Sequence, residues 1–272
     1  MEVNRICEWS FPVSGTLAIR LAAKIGFEGI QLSETGGRKY GYPLTHPEVI
    51  AAYKYTADQQ NIKLHSLNLG SLLAESTIFY HANTVQGANA RESLLKGILA
   101  CNSLNINTIV VTISPDTKDA YYNALSHLKY ASPIAQFYNI ELAVESILPL
   151  PDLIQLTEDI GNHVKICMDT LNPLRFGTGI PQEQIYAFGK NKISHFHVKD
   201  SRSSLFVPGQ RGCVQLGTGD GNYKQCIAAI QEIGYEGWII SENYYYLPPL
   251  HDIQPDFLLA ALEDLKIMRR SF

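Results

Sequence analysis

Two imidazoles stand two residues apart in the stretch Ile193-Ser-His195-Phe-His197-Val-Lys199-Asp200. In an extended segment residues i and i+2 share a face, so both rings point one way while Phe196 and Val198 pack on the other. A single histidine on an apolar strand is ordinarily a hydrogen-bonded core residue. A pair on one face, followed by a cation and an acid, marks a strand end built to hold something. Acids recur in similar surroundings: Glu145 ends Glu141-Leu-Ala-Val-Glu145, Asp169 ends Cys167-Met-Asp169, and Glu242 follows Ile239-Ile-Ser. Three carboxylates crowded together would repel one another and take up protons unless a cation lay among them. With an imidazole they form a hard-to-borderline donor set; carboxylates suit Mn, Mg or Co, and the imidazole leans toward Mn, Co or Zn. One divalent ion on Glu145, Asp169, His197 and Glu242 is the simplest expectation.

Such donors converge only if a scaffold brings several strand ends to one place. Short β-rich apolar runs alternate with longer amphipathic segments along the whole chain, the pattern of repeated βα units over a parallel sheet. The strands are predicted at 5–11, 29–33, 63–69, 108–113, 141–147, 164–169, 193–198 and 238–241. Helices are predicted at 16–25, 46–60, 84–104, 118–138, 151–160, 181–188, 223–233 and 255–269. Gly26 and Gly234 follow two of these helices, where a left-handed residue lets the chain turn toward the next strand. Eight units without a dividing linker predict an α/β fold, a single (β/α)8 TIM barrel over residues 1–272. No GxGxxG follows the first strand, which removes the main reason to prefer an open dinucleotide-binding sheet. In such a barrel the site lies at the C-terminal strand ends. Besides the four ligands, those ends carry Glu8, Trp9, Glu34, His65, Ser66, Asn68, Thr112, Ser114, Asn172, Lys199 and Asp200.

Composition narrows the partners. With 272 residues, 46% of them hydrophobic, and a net charge of −4, the chain can bury a sizeable core and has no basic field to gather nucleic acid. A small-molecule partner is the better expectation. No apolar h-region follows a basic start, and nowhere do 18 or more apolar residues run uninterrupted, so no membrane association is expected. The five cysteines, Cys7, Cys101, Cys167, Cys213 and Cys226, are odd in number and lack CxxC spacing. They suggest neither a disulfide framework nor a thiolate zinc site, and a reducing cytoplasm fits them best.

The motifs carry a resemblance. Glu141-Leu-Ala-Val-Glu145-Ser, Cys167-Met-Asp169-Thr-Leu-Asn172-Pro, His195-Phe-His197-Val-Lys-Asp200-Ser-Arg202, Leu216-Gly-Thr-Gly219-Asp-Gly-Asn-Tyr and Ile240-Ser-Glu242-Asn stand in the order of the sugar phosphate isomerase/epimerase family, the xylose isomerase-like TIM barrels. Ketose 3-epimerases and inosose dehydratases and isomerases are the members this chain resembles. The likeness implies one divalent ion, usually Mn or Co, on Glu145, Asp169, His197 and Glu242. It also implies that Glu145 and Glu242 act as an acid/base pair on opposite sides of a keto sugar or sugar phosphate. It further implies a carbohydrate substrate and a homo-oligomer, a dimer or tetramer.

Around the metal, expected substrate contacts are Trp9, His65, Asn172, His195, Lys199 and Arg202. His195 does not match the family's ligand and reads equally as a substrate contact or a packed core histidine. Where many relatives have a histidine three residues after the strand-six aspartate, this chain has Asn172, which hydrogen-bonds but cannot shuttle a proton. Tyr40-Gly-Tyr42, Phe79-Tyr80 and Tyr244-Tyr245-Tyr246 would suit a wide aromatic mouth. The glycine-rich stretches Pro208-Gly-Gln-Arg-Gly212 and Leu216-Gly-Thr-Gly-Asp-Gly221 resemble a phosphate cradle, with a connection into the last βα unit as the plainer role. Proton abstraction next to a carbonyl would serve epimerisation, isomerisation or a β-elimination of the dehydratase or C-glycoside-cleaving type. An AP endonuclease-like nuclease, or a barrel without catalysis, stands further off.

Overall fold

A computed structural model describes residues 2–161, 163–205 and 212–272. Its strands are β1 (Glu2–Cys7), β2 (Gly29–Ser33), β3 (Lys63–Asn68), β4 (Thr108–Ile113), β5 (Glu141–Ser146), β6 (Lys165–Asp169), β7 (Ile193–Val198), β8 (Asp200–Ser201), β9 (Cys213–Val214) and β10 (Trp238–Ser241). Eight of them close into a barrel in the order β1-β10-β7-β6-β5-β4-β3-β2, and β8 and β9 form a separate antiparallel ribbon. The paired barrel strands are parallel, and helices alternate with them along the chain, the (β/α)8 arrangement that the alternating pattern predicts.

The helices form for local reasons. In Thr16–Ile25 the residues Ala18, Ile19, Ala22 and Ile25 recur at helical spacing and are buried, and Gly26 stops the helix in a left-handed conformation (φ 103°). Thr84 and Thr117 cap the helices Val85–Leu104 and Lys118–Phe137 by accepting from the backbone N–H of Gly87 and Ala120. The segment Pro181–Lys192 breaks at Gly189 (φ 59°).

The chain divides into two compact units. One comprises residues 1–31, 56–63 and 167–272. Within it β7 lies beside β10 in the register His195↔Trp238, Ile240↔His197 and Ser241↔Val198. Phe196 packs edge-on against Tyr235, whose hydroxyl donates to the Ser194 carbonyl at 2.7 Å, so β7 is anchored from the side opposite its two histidines. β1 ends at Cys7, earlier than the expected limit of residue 11. The Glu8 carboxylate accepts the Gly15 N–H, and the chain turns into a short 3-10 segment at Glu8–Ser10.

The other unit comprises residues 32–55 and 64–166. There β4 pairs with β5 along its length, Thr112 beside Glu145, and β3 joins β4 as Leu67↔Ile109 and Asn68↔Val110. Side-chain alternation then puts Asn68, Val110, Thr112 and Glu145 on one face. A short helix at Gly70–Ala74 follows β3, where the pattern predicts no element.

Candidate active site

In the first unit the end of β6, the end of β7 and the residue after β10 bring acids and an imidazole around one ammonium group. Lys199 Nζ lies 2.7 Å from Asp169 Oδ2 and 2.5 Å from Glu242 Oε2. The exposures of Asp169, His197, Lys199 and Glu242 are 4%, 0%, 4% and 5%. His197 Nδ1 is 3.5 Å from Glu242 Oε2. Asp169 is held from the other side: its Oδ1 accepts the backbone N–H groups of Leu171 and Asn172 at 2.7 and 2.6 Å. The Trp9 indole Nε1–H donates to Glu242 Oε1 at 2.9 Å, and the indole stands edge-on to His197 with centroids 6.1 Å apart. Burial pushes the Asp169 carboxyl above its ordinary range, Lys199 pulls it back, and the Glu242 charge adds to the upward push.

The remaining acid, Glu145, belongs to the second unit. It is 6% exposed, and its Oε2 accepts the Thr112 hydroxyl at 3.1 Å. A buried carboxylate ending a strand in this way is an oriented acceptor rather than a solvated surface charge.

Of the residues expected to touch substrate, Trp9 and Lys199 sit directly on Glu242. Asn172 is half-buried and begins the short helix Asn172–Arg175; its backbone N–H is what reaches Asp169. Arg202 is exposed, and its Nη2 donates to the Thr218 carbonyl at 2.7 Å, bracing a loop. His195 is fully buried and hydrogen-bonded to Ser194 Oγ at 3.0 Å, so it takes the place of a packed histidine. His65 is 3% exposed and pairs with Ser66 Oγ at 2.7 Å.

The aromatic mouth is smaller than the sequence suggests. Tyr245 is fully buried with its hydroxyl 2.6 Å from Ser241 Oγ, and Tyr244 is also buried, while Tyr40 and Tyr80 are exposed. The glycines of 216–221 serve Asp200. Its Oδ2 accepts the Gly219 N–H at 2.9 Å, and its Oδ1 accepts those of Ser201 and Gly221 at 2.9 and 3.1 Å. A Cβ on Gly219 would stand 2.4 Å from Asp200 Oδ1 and 2.2 Å from the Ser201 carbonyl, so only glycine allows the approach. These N–H groups already hold an internal anion, which settles 216–221 as a connection rather than a cradle; residues 208–211 of the other glycine-rich stretch lie outside the described residues. All five cysteines are buried and unbridged.

Sequence reading passes over Gln31. This fully buried side chain accepts from His197 Nε2 at 2.6 Å through Oε1 and approaches His195 Nε2 at 3.4 Å through its own Nε2. The available signal was a lone amide in the apolar strand Gly29-Ile-Gln-Leu-Ser.

The family model of the xylose isomerase-like TIM barrels matches residues 19–264. The chain belongs to that family. Among its relatives is the 2-epi-5-epi-valiolone 7-phosphate 2-epimerase of an Actinoplanes species, 28% identical over 233 residues, 83% of this chain and 81% of that one. Two solved structures share the fold. An IolI protein described with a bound zinc atom superposes with a TM-score of 0.79 at 16% identity, covering 100% of this chain and 99% of its own. The D-psicose 3-epimerase of Clostridium cellulolyticum, solved with D-tagatose, gives a TM-score of 0.77 at 15% identity over 100% and 99%. Among the described residues no helix is long and apolar enough to cross a membrane.

Proposed function

We propose that this xylose isomerase-like barrel is a divalent-metal-dependent epimerase or isomerase of a keto sugar or sugar phosphate. The carrying observation is the donor set. One ligand atom from each of Asp169, His197 and Glu242 lies within 4.8 Å of the others, all three side chains are buried, and Glu145 is a buried strand-end acid of the other unit that would complete the set. Asp169 and Glu242 against the Lys199 ammonium leave one negative charge in a water-poor place, and Glu145 as a further ligand would make it two, which a divalent cation would balance. With the His197 proton on Nε2 toward Gln31 Oε1, His197 Nδ1 and Glu242 Oε2, at 3.5 Å, are both lone-pair groups, a pairing that a cation relieves. The donors fit such an ion. Mn, Co and Mg suit the carboxylates, and the imidazole admits Zn.

When bound, the ion would supply a Lewis acid that draws electron density from a ketone and its neighbouring hydroxyl, acidifying the C–H between them. The protein does the rest. Glu145 Oε2, oriented by the Thr112 hydroxyl, would take the proton from one face of the substrate. Glu242, oriented by the Trp9 indole and Lys199, would take up a proton as substrate binds and deliver it to the other face, inverting the carbon and leaving Glu145 protonated and Glu242 ionised. Lys199 offsets charge as the carboxylates exchange protons. Kinship with an epimerase that acts on a sugar-like phosphate supports this class of chemistry. With Tyr244 and Tyr245 packed inside, the aromatic surface that would favour β-elimination is reduced.

The test is a screen of keto sugars and their phosphates with Mn-loaded protein, with products resolved by NMR. Epimerised or isomerised sugar without loss of water supports the reading; loss of water or an aglycone would replace it by a lyase. Metal analysis that finds no divalent ion near one per chain would remove its basis.

A further inference from the structure

We infer that Gln31 is a positioning residue that fixes the tautomer of His197 and thereby selects which of two clusters can bind metal. The inference rests on the reading of His197 as a ligand. Gln31 Oε1 lies 2.6 Å from His197 Nε2 and also accepts the Cys7 thiol at 3.3 Å. A carbonyl oxygen only accepts, so the His197 proton sits on Nε2 and the lone pair on Nδ1. Nδ1 is the nitrogen on the Glu242 side, 3.5 Å from Oε2. The amide nitrogen of Gln31 faces His195 Nε2 at 3.4 Å and donates there, which places the His195 proton on Nδ1, toward Ser194 Oγ.

A second cluster shares His197. Cys167, His195 and His197 also bring one ligand atom each within 4.8 Å, a sulfur and nitrogen set of the softer kind that suits zinc. Cys167 Sγ is 3.6 Å from both nitrogens of His197. Binding metal there would need the lone pair of His195 Nε2, which accepts from Gln31. If His197 offered Nε2, its proton would have to move to Nδ1 and the bond to Gln31 Oε1 would be lost. Gln31 thus closes the sulfur-bearing cluster and aims His197 at the carboxylates. Hydrogen bonds of this kind from a ligand histidine typically set metal affinity by 10- to 100-fold.

The experiment compares Gln31→Leu and Gln31→Glu with the parent protein. Leucine removes both polar contacts, whereas glutamate keeps an acceptor for His197. Manganese titration by calorimetry should show about 10- to 100-fold weaker binding in the leucine variant and affinity within a few-fold of the parent in the glutamate variant. In the metal-free parent, 15N NMR of the imidazoles should show the His197 proton on Nε2. In cobalt titrations the parent should lack a thiolate charge-transfer band. The inference is overturned if the leucine variant binds manganese as tightly as the parent, if the proton is found on Nδ1, or if the parent shows the thiolate band. A parent that takes up no divalent ion would retire the metal reading, and the NMR result would still decide the tautomer.

Discussion

The indole nitrogen of Trp9 donates to Glu242 Oε1 at 2.9 Å, tying the turn after β1 to the residue after β10. This bond leaves Oε2 of the same carboxylate to Lys199 and His197. Trp9→Phe keeps most of the ring and removes the donor. A hydrogen bond to a charged group contributes about 1.5–3 kcal/mol, or roughly 10- to 100-fold. Turnover should fall by that range with little change in melting temperature. An unchanged turnover number would show that Glu242 needs no such holder.

Lys199 is the ammonium that the acids share, and Lys199→Met should matter most without metal. Removing one partner of a buried ion pair costs about 3–5 kcal/mol because the remaining charges are stranded. Thermal melts of metal-free protein should show a large drop for the variant. Added manganese should recover more of the loss than it raises the parent, since the ion takes over the charge balance. Equal increments in both proteins would argue against a cation in this place.

Asp264 offers a pH test away from the ligands. It is fully buried, accepts the Leu216 N–H at 2.9 Å and the Asn243 side chain at 2.7 Å, and burial raises its pKa from 3.8 to about 7. Between those values the folded state holds a proton that the unfolded state has released. Stability therefore falls as pH rises toward about 7, and the penalty is complete above it. Glu34, raised by burial to about 7, acts in the same direction. Denaturation at pH 5 and pH 8 should show the lower stability at pH 8, and Asp264→Asn should shrink the difference. A variant with the parent's full pH dependence would contradict the assignment.

Gly219→Ala examines the loop beyond β7. The added Cβ would collide with the Ser201 carbonyl and the Asp200 carboxylate, both part of the ribbon end, so the loop must shift. Overpacking of this sort costs about 1–3 kcal/mol. A chemical denaturation midpoint equal to the parent's would show that the loop yields freely.

Much of this arrangement is legible in the sequence, because a buried parallel strand advertises itself by a short apolar run bounded by polar residues. β2, β4, β7 and β10 begin and end where the pattern predicts, and the other barrel strands differ at their ends. The end of β1 escapes because Glu8 reads as a continuation of the strand, and only its bond to Gly15 shows the turn. Asp169, His197, Lys199 and Glu242 are legible as ionisable residues in apolar surroundings at strand ends, and the structure brings them together. His65 carries the same signal, and the structure pairs its imidazole with Ser66 of the same strand. Gln31 carries no motif, and its meaning comes wholly from the two histidines opposite it.

The central claim is that Glu145 and Glu242 move the proton. The most direct measurement is solvent deuterium incorporation at the carbon next to the carbonyl, made with manganese-loaded protein and an accepted keto sugar or sugar phosphate. The parent should exchange, and Glu145→Gln and Glu242→Gln should each suppress exchange by several orders of magnitude under saturating metal. Exchange that persists at the parent's rate in both variants would contradict the account.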